Sequence, residues 1–89
     1  MLQVTDQAKE ELKRLLETKV DWPGARLRLL ERNGGALGLG IDIQSGTDKV
    51  VEYQGDTLLV VASDLEERIN VLLDIDTTSE GVELVISET

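Results

Sequence analysis

Apolar positions near the start of the chain recur at helical spacing. Ala8, Leu12, Leu15 and Leu16 fall on one face, Thr5 stands where an N-cap is needed, and Asp6 opens the first turn, so a helix is expected over residues 6–18. Glu10 lies four residues before Arg14, and Lys9 and Lys13 share the solvent side, so these charges are expected only to solvate the helix. Trp22-Pro23-Gly24 ends it, because proline holds the residue before it extended and Pro-Gly is a turn signal. Trp22 is expected to cover the end of a small core, with anchoring of a partner as the other reading.

Beyond this turn the period changes to two. Arg26-Leu27-Arg28-Leu29 and Leu39-Gly40-Ile41-Asp42-Ile43 alternate and read as strands, joined by the glycine-rich segment 33–38. Gln44 to Asp48 is turn chemistry, Lys49 to Tyr53 a short strand, Gln54-Gly55-Asp56 another turn, and Thr57 to Ala62 a continuous apolar strand expected at the centre of a sheet. Ser63-Asp64-Leu65-Glu66 has the spacing of a capping box, with Ser63 and Glu66 as reciprocal partners, opening a short helix that buries Leu65, Ile69 and Leu72. Leu73 to Ile75 and Val82 to Ile86 read as two strands joined across Asp76 to Gly81. The expected order is helix, four strands, helix, two strands. With strands outnumbering crossover helices, this predicts an α+β fold with a mostly antiparallel or mixed sheet.

Length and composition narrow the function classes. The 89 residues suffice for a single domain, 1–89, with one modest core. The longest apolar run, Leu58 to Ala62, is too short to span a bilayer, and the N-terminus lacks the basic-then-apolar build of a secretion signal, so a cytoplasmic location and no membrane partner are expected. There is no cysteine and no histidine, which removes disulfides, thiolate and imidazole metal sites, cysteine nucleophiles and imidazole bases.

Charge is divided unevenly along the chain. Residues 1–32 carry a net +1 and residues 33–89 a net −10, giving the total of −9. Nucleic-acid binding is disfavoured, since phosphate neutralisation needs clustered cations and strand stacking needs aromatics, of which there are only Trp22 and Tyr53. A protein partner with a basic surface suits the acidic part better, and Glu66, Glu67, Asp76 and Glu80 are the candidate contacts.

The run Gly34-Gly35-Ala36-Leu37-Gly38-Leu39-Gly40 is the most unusual feature. A phosphate cradle needs such a loop to open a helix, whereas this one runs into a strand and is not followed by Lys-Ser or Lys-Thr. Gly34, Gly35, Gly38 and Gly40 are therefore expected to be structural, in a tight positive-φ connection. Asp74, Asp76 and Glu80 offer oxygens but lack the spacing of a calcium loop, and a polar hairpin turn is the plainer reading. Arg26 and Arg28 share a strand face; they are expected to pair across the sheet with an acid such as Asp42, and the competing reading is an anion fork.

Laid end to end, these pieces resemble the A-type iron–sulfur carrier family, the HesB-like domain. The residues that carry the resemblance are Val4-Thr5 followed by Ala8, Leu27-Arg28-Leu29 before the loop, Gly35-x-x-Gly38 within it, Val50-Val51 and Gly55, and Leu73-Asp74 with Gly81. The resemblance implies a compact β-rich sandwich with helices. In the family the loop holds a cysteine where this chain has Ala36, and a Cys-Gly-Cys tail follows; here the corresponding stretch reads Ile86-Ser87-Glu88-Thr89. Clusters are held by thiolates, so no metal and no cofactor is expected. The resemblance thus implies a non-enzymatic binding or regulatory module, linked to sulfur or iron–sulfur metabolism. The competing hypothesis is a small-anion-binding protein or enzyme that uses the glycine loop with Arg26, Arg28 and Arg32, and convergence of these arginines on a concave pocket would favour it.

Overall fold

The computed structural model describes residues 1–22 and 24–88. A short strand β1 (Leu2–Val4) leads to Thr5 and helix α1 (Asp6–Lys19). Thr5 caps this helix as its sequence implied: its backbone is extended and its hydroxyl oxygen accepts the Ala8 amide at 3.1 Å, satisfying a donor that a helix start leaves orphaned. Ala8 and Leu12 are fully buried, and Leu15 and Leu16 pack partly against the same core. Arg14 pairs with Glu11 rather than with Glu10, through two hydrogen bonds of 2.7 and 2.6 Å. The two-pronged fit three residues apart outweighs the single contact that four-residue spacing offers.

The alternating segments form strands β2 (Ala25–Glu31) and β3 (Leu37–Ile43), followed by β4 (Lys49–Tyr53) and β5 (Asp56–Val61). They make one sheet in the order β3-β2-β5-β4, in which β2 and β5 are parallel and the other neighbours antiparallel. The apolar segment is therefore central, and Leu58, Leu59, Val60 and Val61 are all buried. Helix α2 (Ser63–Arg68) precedes β6 (Val71–Thr78) and β7 (Gly81–Glu88), which form a second sheet in the order β1-β6-β7. The core lies between the layers, with Leu27 and Leu29 of β2, Leu59 and Val61 of β5, Leu65 of α2 and Leu73 of β6 around Ala8 and Leu12. Each buried leucine contributes about 1.5–3 kcal/mol of transfer free energy. The architecture is α+β with two mixed sheets, each holding one parallel pair of strands, in agreement with the class expected.

Four local expectations are corrected. Strand β1 was not anticipated; it pairs in parallel with β6, Leu2 opposite Val71 and Val4 opposite Leu73, and three residues are too few to show a period. The capping box does not form: Ala62 is the N-cap of α2, no side chain caps the helix, and the Glu66 carboxylate accepts the Leu2 amide at 3.4 Å. Leu72 lies on β6, half-buried, rather than on the helix. Trp22 is 61% exposed and does not cover the core, whose edge there is packed by Val20. The turn at Pro23 lies outside the described residues.

Candidate binding surface

The glycine loop is built to turn tightly. After Arg32 the chain makes a 3-10 turn, Asn33–Gly35, closed by the Gly35 amide on the Arg32 carbonyl at 3.0 Å and the Arg32 amide on the Ala36 carbonyl at 2.6 Å. Gly34 and Gly35 have φ of 80° and 83°, a region that is strained for other residues. Gly38 and Gly40 are instead inside β3, so the positive-φ explanation does not extend to them. A Cβ on Gly38 would lie 2.5 Å from Arg32 Nε, and one on Gly40 would lie 2.6 Å from Leu30 Cδ1. What these glycines provide is room for neighbouring side chains on the outer face.

Beside this loop the molecule is concave. Two adjoining clefts, of about 340 and 190 Å³, share Gly35, Leu37, Val71 and Glu88. Ala36 and Ile86 complete the smaller one, and Arg68, ion-paired with Glu31 at 3.3 Å, borders the larger. The loop and the end of β7 therefore converge on one place. The donor set of the smaller cleft is a carboxylate, Glu88, among small and aliphatic residues, with no soft ligand, so it does not fit an iron–sulfur cluster. Among the described residues no three acids stand close enough together to hold a metal ion. Asp74, considered as an oxygen donor, accepts the Thr5 hydroxyl at 2.9 Å and so ties α1 to β6.

The strand arginines do not converge on a pocket. Arg28 forks onto Asp48 at 3.2 and 2.7 Å, with its Nε 3.0 Å from Asp42 Oδ2 at an angle outside hydrogen-bond geometry. Asp42 was anticipated, but Asp48, only 4% exposed at its side chain, is the stronger partner and was missed. Arg28 holds the Asp48 carboxyl below the usual carboxylate range, and the Ser45 amide, at 2.7 Å, adds to this. Arg26 donates to the carbonyl of Ala25 at 2.9 Å, and Arg32 to that of Leu39 at 3.4 Å. None of the three lines either cleft. The anion-fork geometry is thus absent, since Arg28 is already neutralised.

The candidate acids are split between two places. Glu66 and Glu67 lie on α2, close to the start of β6, whereas Asp76 and Glu80 lie towards the β6–β7 turn. The two groups are separated by most of the length of β6, an extended span of about 24 Å. Glu66 is half-buried and bonded to β1, so it is not a free surface acid as expected. Asp76 stands directly opposite Glu83 across the hairpin, both exposed, and neither is in an ion pair among the described residues. Like charges so placed cost stability. Glu83 was missed because its role depends on register.

The fold is that of the A-type iron–sulfur carriers. Among the solved structures that match this chain, three show the extent of the likeness: IscA with a [2Fe-2S] cluster (TM-score 0.64, 20% identity, 99% of this chain and 85% of that one), and Escherichia coli SufA, involved in the biosynthesis of iron–sulfur clusters (0.64, 18%, 98% and 79%). The third is a protein from Aquifex aeolicus solved by NMR (0.62, 26%, 99% and 91%). The sequence matches no family model and no curated protein. The resemblance read from the residues is therefore shown as a resemblance of fold, in a chain that has none of the family's cysteines. No helix among the described residues is long and apolar enough to cross a membrane.

Proposed function

We propose that this chain is a non-enzymatic protein-binding or regulatory module of the A-type carrier fold, acting in the cytoplasm in sulfur or iron–sulfur metabolism without carrying a cluster itself. The observation that carries this reading is the cleft at the glycine loop, where the fold brings Ala36 and the end of β7 together but supplies a single hard carboxylate instead of thiolates. The partner is a protein with a basic surface, and the contact is the outer face of the β6–β7 hairpin, where Asp76, Glu80 and Glu83 are exposed. The metabolic setting rests on likeness of fold to IscA and SufA and is an analogy.

The test is affinity capture from native cytosol followed by binding kinetics at two salt concentrations. Association is expected to slow as salt shortens the Debye length towards about 8 Å, because charge steering acts on the on-rate. A double reversal, Asp76→Lys with Glu83→Lys, is expected to slow it about tenfold or more, while Glu67→Lys on the distant α2 has a smaller effect. A salt-insensitive complex, or one indifferent to the hairpin reversal, would refute the acidic contact.

A further inference from the structure

Strand β7 forms an edge of the smaller sheet and pairs on one side only, with β6. None of its eight residues is buried, and it has no lysine, no proline and no register shift in its ladder, the usual devices that keep another chain from an edge. Apart from that ladder, no hydrogen bond among the described residues involves the main chain of residues 82–87. Register sets Val82, Leu84 and Ile86 opposite Thr77, Ile75 and the buried Leu73, hence on the core-facing side, while Glu83, Val85 and Ser87 face outward. The core-facing side is open at both ends of the strand. Ile86 lines the smaller cleft together with Leu37, and Val82 lines a third cleft, of about 270 Å³, against Glu11 and Arg14 of α1. These two positions lie about 13 Å apart along the strand.

Charge says what the edge takes. Arg14 and Arg68, the cations that line these clefts, are closed on Glu11 and Glu31. Glu83 has no cation among the described residues; it stands opposite Asp76, with Glu80 in the turn beyond. A strand laid against β7 places one residue directly beside Glu83 on the outer face, and a lysine or arginine there relieves the repulsion from Asp76. From the open edge and its charge we infer that β7 receives an extended basic segment of the partner protein, which adds to the smaller sheet as a fourth strand. The inference rests on the basic partner proposed for the hairpin and adds the manner of its recognition. The segment carries apolar residues against Val82, Leu84 and Ile86 and a cation beside Glu83. That single acid selects the register, since a shift by one turns the cation towards the apolar row and a shift by two sets it beside Val85. A second copy of β7 is a poor occupant, because its only charges are Glu83 and Glu88.

The probe is an acetylated and amidated peptide, Ser-Val-Thr-Val-Lys-Val-Lys. Laid antiparallel with its first lysine beside Glu83, it sets its valines against Ile86, Leu84 and Val82. Its addition to the isotope-labelled chain is expected to slow hydrogen exchange at alternate amides of β7, those directed away from β6. Methylating alternate amide nitrogens of the peptide separates main-chain pairing from charge attraction. One set of methyl groups should abolish binding and the complementary set should be tolerated, because only alternate amides face β7. Glu83→Lys removes the repulsion from Asp76, so it keeps the fold, and it should weaken binding about tenfold or more. Ser-Lys-Thr-Lys-Val-Val-Val, of the same composition but with its lysines on the core-facing row, should bind about tenfold or more weakly as well. Equal binding of the two methylated sets, or no binding at millimolar peptide, overturns the inference. Protection of β7 that grows with protein concentration in the absence of peptide overturns it too, by giving the edge to a second copy. A captured basic partner that responds to salt and to hairpin reversal, yet leaves the β7 amides unprotected, refutes strand addition alone and leaves the acidic contact standing.

Discussion

Arg28 shows how far a residue's role follows from its neighbours in sequence. Alternation placed it on a strand beside Asp42, and the register confirms a strand neighbour, yet Asp42 lies opposite Arg26 and the fork of Arg28 closes on Asp48 in the following turn. The reach of a long side chain, rather than register, selects the partner, and that reach cannot be seen before the turn is folded. The consequence is a dependence on pH. Because Arg28 and the Ser45 amide lower the folded-state pKa of Asp48, its contribution to stability is complete above the unfolded value, about 3.9, and is lost as pH falls through the lowered folded value. Melting temperature is therefore expected to fall on acidification below about pH 4. Asp48→Asn should lower stability at neutral pH and flatten this acid limb. Some slope should remain, since Arg14 also lowers the pKa of Glu11. An acid limb identical in Asp48→Asn and the parent would show that the pair contributes nothing to folding.

At the scale of elements, what was legible had either periodicity or a local signal. Helix α1 over fourteen residues and the strands around the glycine loop had both. Strand β1 and the partner of Glu66 had neither, because each is fixed by a contact between residues more than sixty positions apart. The loop itself divides the glycines by mechanism. Gly35→Val forces a β-branched residue to φ near 83° and is expected to cost about 1–3 kcal/mol. Gly38→Val places its side chain on an extended strand, where only the exposed Arg32 side chain must move aside. Its cost is expected to be smaller, because Arg32 is flexible and valine suits a strand. Denaturant unfolding of the two variants measures the difference; equal losses would mean that crowding on the outer face, and not backbone conformation, constrains the loop.

For the molecule as a whole, the resemblance of fold could be read from scattered short matches because it concerns the order of elements, whereas the character of the cleft depends on what the fold brings together. Ala36 and the end of β7 are fifty residues apart in sequence yet line one cleft, with Glu88 as its carboxylate. The residues there predict that anaerobic reconstitution with iron and sulfide leaves the protein colourless after desalting, since thiolates hold such clusters and the chain has none. Ala36→Cys is expected to change little. One thiolate per chain leaves most of the usual four positions unfilled. At most a labile iron species should form, detectable by visible absorption before desalting and absent afterwards. A stoichiometric cluster that survives desalting in Ala36→Cys would reveal ligands beyond those the cleft presents.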